Sequence, residues 1–282
     1  MVAHCDIDEA GAQHATAAWI FFACFAGCLG LTAGVMTTYY GPGAAGSGVA
    51  ELIGYLNGIN YPNFISIPTL LTKSVGVTLA VCGKLCIGKE GPLAHIGANI
   101  GVISAYFPGL DNEFLHNDDK KRNFIAAGAS AGVAVAFGAP IGGALFAYEM
   151  SRPNTFWKFS MIWKVFVSCA VANFWLSTLN SMYAWNLQLE DSSALKFGAI
   201  TGKNEVIPTT LLLPAAIILG VGGGCLGSLF INVNSRMADI RKKCLTRKWM
   251  KPIETFMFCF ATASAFYWVP RLFDGCATVD IE

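Results

Sequence analysis

The sequence predicts an all-α, polytopic membrane protein whose helices are short and broken. Three observations predict it. Charged residues make up 13% of the 282, about half the roughly 25% of an ordinary soluble domain. Apolar runs close to the ~20 residues that a bilayer requires recur along the chain. Thirty glycines accompany them, and glycine lets membrane helices pack backbone against backbone. A net charge of +1 argues against nucleic acid or a strongly acidic partner.

Taken in order, residues 1–16 are polar and acidic, without the basic start of a cleavable signal peptide. Residues 17–38 supply the first span, with Gly27, Gly30 and Gly34 along it. Gly41-Pro42-Gly43 then breaks the chain, and Gly46-Ser47-Gly48 opens a short, half-polar helix that ends near Asn57-Gly58. Residues 64–83 form a second apolar stretch carrying Lys73. A charged, glycine-rich segment leads into residues 92–109, and a polar loop, 111–122, precedes a charge-free run over 124–148. Residues 156–185 form an aromatic-rich span containing Lys164.

Residues 206–231 are again charge-free and end in Gly222-Gly223-Gly224 and Gly227. The basic cluster Arg236, Arg241, Lys242, Lys243, Arg247, Lys248 and Lys251 follows. It faces the cytosol by the positive-inside rule, with lipid head-group recognition as the alternative. Residues 255–269 are a last, rather short apolar segment. Gly128-x-x-x-Gly132, Gly138-x-x-x-Gly142 and Gly223-x-x-x-Gly227 read as small-residue faces for helix packing. Ten cysteines lie mostly in apolar runs. The Cys24/Cys28 and Cys82/Cys86 spacings are not those of a zinc site, so these read as small packing residues. Cys276, in a polar tail, is the candidate for a disulfide, and no metal or other cofactor is expected.

Chemistry concentrates at Gly88-Lys89-Glu90-Gly91-Pro92-Leu93-Ala94-His95. Two adjacent ionisable residues at membrane depth are costly and mark an ion or proton path. The glycines permit close backbone approach, and Pro92 stands where a helix can begin. A helix N-terminus supplies free N–H donors and a positive dipole end, together an anion site. Glu90 then stands in the path. Seated in the anion's place, its carboxylate closes the path; protonated or swung aside, it opens it, so one residue serves as gate and proton carrier. A structural pair with Lys89 is the plainer alternative. Ser47, between two glycines at a helix start, presents its hydroxyl and nearby amides to a halide, or simply caps the helix.

Gly83 to Lys89 fits G-x-x-x-x-G-K, but Glu90 occupies the position where Ser or Thr would ligate magnesium, so nucleotide binding is rejected. His4, His14, His95 and His116 are scattered and make no catalytic or metal-binding set; the chain does not read as an enzyme. His95 is expected to form a structural hydrogen bond near the loop.

Gly46-Ser47-Gly48 with Tyr55-Leu56-Asn57-Gly58, then Gly88 to His95, then Gly138-Ala139-Pro140-Ile141-Gly142-Gly143-Ala144-Leu145-Phe146, resemble in this order the CLC family of chloride channels and chloride/proton exchangers. Asn117 to Val133 resembles its eukaryotic endosomal–lysosomal branch. The resemblance runs from about residue 17 to about residue 270. It implies broken and re-entrant helices in a homodimer with one pore per subunit, each subunit built as two inverted halves. Residues 17–205 would be the first repeat, and 206–282 the incomplete start of the second.

It further implies that Ser47, with Gly46 and Gly48, coordinates a central chloride from the inner side. Gly88, Lys89, Glu90, Gly91 and Pro92 would form the second anion loop, with Glu90 the external gate. Chloride and the lipid bilayer are the implied partners, and an endomembrane such as a lysosome or vacuole is the implied location. Three departures matter. Ala50 stands where the family has proline. Glu149 matches the first of the family's two acids, structural or a substitute relay; the second, the proton-relay position, is Met150, whose thioether carries no proton, so weakened proton coupling is expected. A second Gly-x-Phe-x-Pro loop and a late tyrosine are not found, so a fragment of a voltage-gated-type chloride channel or exchanger is expected. A short, non-conducting subunit that modulates a full-length relative is the alternative.

Overall fold

The computed structural model describes residues 9–106, 117–151, 159–183 and 209–272. Among these it is helical and contains no strand. Helix α1 (Glu9–Val35) runs on through a π-helical turn, Met36–Tyr40, and a 3-10 turn, Pro42–Ala44. Then come α2 (Val49–Leu56), α3 (Ile67–Cys82), α4 (Glu90–Ala105), α5 (Asp118–Phe137), α6 (Pro140–Ser151), α7 (Ser160–Tyr183), α8 (Thr209–Cys244) and α9 (Met250–Leu272). Two compact units result: one carries α1 to α7 together with the chain from Lys251 onward, and the other carries α8.

Residues 15–40, 160–182 and 213–244 lie in helices long and apolar enough to cross a membrane. The others are shorter. Helix α4, with 16 residues, spans only about 24 Å against a hydrocarbon core of ~30 Å, and α2 has 8 residues. The broken architecture anticipated from the glycine and proline punctuation is therefore present. Large apolar side chains such as Phe21, Trp163 and Phe174 are exposed, as befits surfaces that meet acyl chains instead of water.

The centre of the first unit is the antiparallel pair α4 and α5. A Cβ on Gly97 would collide with Gly128 O, one on Gly101 with Phe124 O, and one on Gly132 with Leu93 O. The Gly128-x-x-x-Gly132 face thus packs as expected. Its counterpart, Gly97-x-x-x-Gly101 on α4, was hidden behind the motif that precedes it. Around this contact a single apolar cluster joins Leu52, Tyr55 and Leu56 of α2, Phe64 from the loop before α3, Ala94, Ala98 and Val102 of α4, Ile125, Ala126, Ala129 and Val133 of α5, and Met150 of α6. Gly128→Ala is expected to cost about 1–3 kcal/mol, the usual cost of forcing a methyl into a filled interior. Thermal unfolding in detergent would read this as a lowered midpoint.

Several sequence boundaries move for local reasons. Helix α1 begins at Glu9, inside the polar N-terminal segment. The second part of the polar loop 111–122 is helical, because Asn117 Oδ1 accepts from Asp119 N at 3.0 Å and Asp118 and Asp119 occupy the first turn of α5, where the helix dipole favours them. The charge-free run 124–148 is not one span. Gly138 adopts φ 66° as the C-cap of α5 and donates its N–H to Ala134 O, and Pro140 opens α6. Gly138 is therefore a helix stop and not half of a packing face. A Cβ on Gly142 would meet nothing closer than Ala139, at 3.5 Å. Along α8, no described atom lies within 4 Å of a Cβ built on Gly223 or Gly227.

The basic cluster also belongs largely to helices. Arg236, Arg241, Lys242 and Lys243 continue α8, with the last three in its final turn, and Lys251 lies in the first turn of α9. Helix α9 packs on the glycine stripe of α1: Gly27 faces the ring of Phe256, Gly30 faces Cys259 Sγ, and Gly34 faces Pro252 and Thr255. Trp19 Nε1 donates to Ser264 Oγ at 3.1 Å, and Tyr267 OH donates to Ala15 O at 2.7 Å. The Arg271 guanidinium lies over the Tyr267 ring, 3.8 Å from its centroid, an aromatic and cationic end of the kind that anchors helices at a membrane interface.

Of the described cysteines, Cys169 and Cys259 are buried, as packing residues should be. Cys24, Cys28, Cys82, Cys86, Cys225 and Cys244 instead lie on exposed faces, where a small apolar side chain suits lipid as well as an interior. Cys276 lies outside the described residues.

Candidate anion site

The loop around Ser47 is shaped by two left-handed glycines. Gly46 has φ 72° and Gly48 φ 81°, a region that side chains with a Cβ enter only under strain. Gly48 is the N-cap of α2, and no side chain caps that end. Ser47 sits one residue before it, exposed, and its Oγ accepts from Val49 N at 3.4 Å. Ser47 thus reaches the first residue of α2 from outside the N-cap position, and the other first-turn amides have no intrahelical partner.

Behind this loop stands Lys73, a residue noted in the sequence only as a charge in an apolar stretch. It is 2% exposed. Ser66 starts its helix, accepting from Thr69 N at 3.3 Å. The ammonium donates to Gly46 O at 2.8 Å and to Ala44 O at 3.1 Å. These two bonds hold the carbonyl side of the loop toward α3. A lone cation at membrane depth was the signal that could have found it.

The second motif forms the start of α4. The helix begins at Glu90 with Lys89 as N-cap, so Pro92 is its third residue, two later than expected. Pro92 still lacks only an N–H that has no intrahelical partner in the first turn. Glu90 is half-buried and Lys89 exposed. The Glu90 carboxylate turns back over its own loop, close enough that a Cβ on Gly88 would strike Oε2. Glycine at 88 thus makes the room in which this carboxylate rests.

The two loops meet. A Cβ on Gly91 would lie 2.8 Å from Ser47 Cβ and 3.4 Å from a methyl of Val49. The starts of α2 and α4, each the positive end of a helix dipole, therefore meet at Ser47 and Gly91. His95, one turn further along α4, is fully buried, and its Nε2 lies 3.0 Å from Phe64 O. That is the structural hydrogen bond expected of it. Asn99 extends the tie, accepting from Ser66 N at 3.0 Å and donating to His95 O at 3.0 Å.

Glu149 and Met150 sit near the end of α6. Met150 is 4% exposed and packs into the apolar cluster with Leu52 and Ile125, so no proton-accepting group stands there. Glu149 is exposed. A cavity of about 1030 Å³ lies between α4, α5 and α7, lined by Leu93, Gly97, Phe124, Gly128 and Met161 among others. It includes neither Ser47 nor Glu90 and is mostly apolar, so it is not where an anion would be coordinated. Among the described residues no group of His, Cys, Asp or Glu is placed to hold a metal ion.

Comparison with known proteins gives the family and the fold. The model of the voltage gated chloride channel family matches residues 29–279. Chloride channel protein A of Dictyostelium discoideum is 36% identical over 248 residues, covering 84% of this chain and 28% of that protein. The H(+)/Cl(-) exchange transporter 7 of Mus musculus is 34% identical over 242 residues, covering 83% of this chain and 30% of that protein. The X-ray structure of a slow cyanobacterial Cl-/H+ antiporter shares the fold, with a TM-score of 0.65 at 22% identity over 92% of this chain and 58% of that one. The chain thus spans about 30% of the length of the curated relatives it matches. With this match across most of its length, the chain belongs to the voltage gated chloride channel, or CLC, family.

Proposed function

We propose that the chain carries the Ser47 and Glu90 portions of a transmembrane chloride pathway. The contact between Ser47 and Gly91 supports this most directly. It sets two helix starts and one hydroxyl around a single point, with the Lys73 ammonium behind one of them. A chloride ion that sheds water there exchanges its hydration for amide N–H groups and the Ser47 hydroxyl. Glu90 competes for the same donors. Ionised, it fills the site; neutral, it gains nothing from the dipoles and leaves. The printed names of the relatives, chloride channels and chloride/proton exchangers, favour chloride as the ion.

Proton coupling is weak in this reading, because Met150, at the expected relay position, offers no titratable atom. Residues 17–205 act as the first transmembrane repeat and 206–282 begin the second, with the polar segment 1–16 ahead of both. The protein works as a homodimer in an endomembrane, on the strength of the Asn117–Val133 resemblance. A second reading, a non-conducting subunit that modulates a full-length relative, draws on the exposed apolar faces of α7 and α8, among them Trp163, Trp175, Ile218 and Phe230.

Chloride efflux from liposomes holding the purified chain, with a pH-sensitive dye trapped in the same vesicles, tests the proposal. Chloride release with little uphill proton movement is expected. Strong uphill proton transport would overturn the weak-coupling part. No chloride release at all would hand the lead to the modulatory reading.

A further inference from the structure

His95 keeps its place at a cost that packing alone does not explain. Its ring stacks on Phe64, with centroids 4.0 Å apart and planes 12° from parallel. Its Nε2 pairs with Phe64 O, and a carbonyl oxygen only accepts, so the proton sits on Nε2 and Nδ1 is a bare lone pair. No hydrogen bond reaches that Nδ1, which is buried. A neutral hydrogen bond contributes less, net, than an unpaired buried polar atom costs. Among neighbours such as Phe64, Ala94 and Ala98, an apolar side chain of similar size would be at least as stable.

The unpaired edge faces the Ser47 loop. A Cβ on Gly48 would lie 2.5 Å from His95 Nδ1, 2.9 Å from Cγ and 3.0 Å from Cβ. Gly48 is the residue after Ser47 and the N-cap of α2. The ring is thus braced on Phe64 and set against one shoulder of the loop. Lys73 grips the other shoulder through Gly46 O, and Asn99 holds the backbone of His95 from below.

We infer that His95 is a positioning residue for the anion loop, an inference that rests on reading Ser47 and Glu90 as the anion site. The Nε2–H bond orients the ring, and the ring sets how far Ser47 and the free amides of α2 stand from Glu90. What His95 supplies is the place of the loop, and stability is not what it supplies.

The purified full chain in detergent tests this through chloride binding, read from chlorine NMR linewidths, beside thermal unfolding. His95→Leu is expected to melt at or above the wild-type midpoint yet bind chloride about tenfold more weakly, a change of ~1.4 kcal/mol. His95→Gln, whose amide can donate to Phe64 O from near the Nε2 position, restores affinity to within about twofold, a change of ~0.4 kcal/mol. His95→Asn, too short for that bond, does not. Equal affinity in His95→Leu and wild type, or a parallel fall of affinity and stability, overturns the inference. So does a His95→Gln as weak as His95→Asn. Should the wild type itself fail to broaden the chloride line, the anion-site reading falls and carries this inference with it. A broadened wild-type line with an unaffected His95→Leu removes the inference alone.

Discussion

Glu90→Gln is expected to raise chloride flux about tenfold at neutral pH. The direction follows from charge. The Glu90 carboxylate lies over Gly88, and on the proposed reading it competes with the anion for the donors at the helix starts, so a neutral side chain there leaves the path open. Glutamine imitates the neutral acid at every pH, with matching shape and no charge. A tenfold gain corresponds to removing ~1.4 kcal/mol of competition, in line with one charge at a helix N-terminus plus the bonds it accepts. Chloride efflux from liposomes at neutral pH provides the measurement. Identical flux in the variant and the wild type would mean that Glu90 is no gate and would favour the modulatory reading.

Lys73→Met is expected to weaken chloride binding about a hundredfold while moving the unfolding midpoint little. Two opposing effects set the second part. Hydrogen bonds from a charged donor contribute about 1.5–3 kcal/mol each, and the ammonium makes two, to Gly46 O and Ala44 O. Burying an ammonium costs several kcal/mol, so removing it and its bonds nearly cancels in overall stability. The anion has no such compensation. A nearby unit charge at an effective dielectric of about 20 contributes a few kcal/mol to holding an anion. The freed carbonyls would also turn to seek other donors and take Ser47 with them. Chlorine NMR titration and thermal unfolding on the same samples give both quantities. Binding within threefold of wild type would show that the loop holds its form without Lys73.

How much of this was readable in the chain depends on how local each signal is. The broken helices were legible because glycine and proline act within a turn or two: Gly41 to Gly43 ends α1 and its extension, and Gly46 to Gly48 starts α2. The Glu90 loop was legible because charge in an apolar stretch needs a reason. What escaped was the meeting of distant parts. Nothing near Gly91 says that Ser47 will touch it, since contact across 43 intervening positions depends on how α2 and α4 pack. Lys73 was visible, but its carbonyl partners 27 and 29 residues away were not. The start of α5 was missed because Asp118 to Arg122 look like a solvated loop, although acidic residues behind an asparagine cap are equally a helix start. Gly138 was assigned to a packing face by spacing alone, when its left-handed backbone makes it a terminator.

The glycine-to-carbonyl contacts between α4 and α5 bear on how fast the path can open. With Leu93, Gly97 and Gly101 set against Gly132, Gly128 and Phe124, α4 cannot slide or roll without lifting backbone off backbone along three turns. Motions of whole helices take microseconds to milliseconds, whereas a side chain changes rotamer in picoseconds to nanoseconds. If Glu90 gates the path as proposed, a frame fixed in this way leaves the swing of one carboxylate as the moving part. Opening would then be too brief to limit passage, and the rate would belong to the ion that displaces the carboxylate.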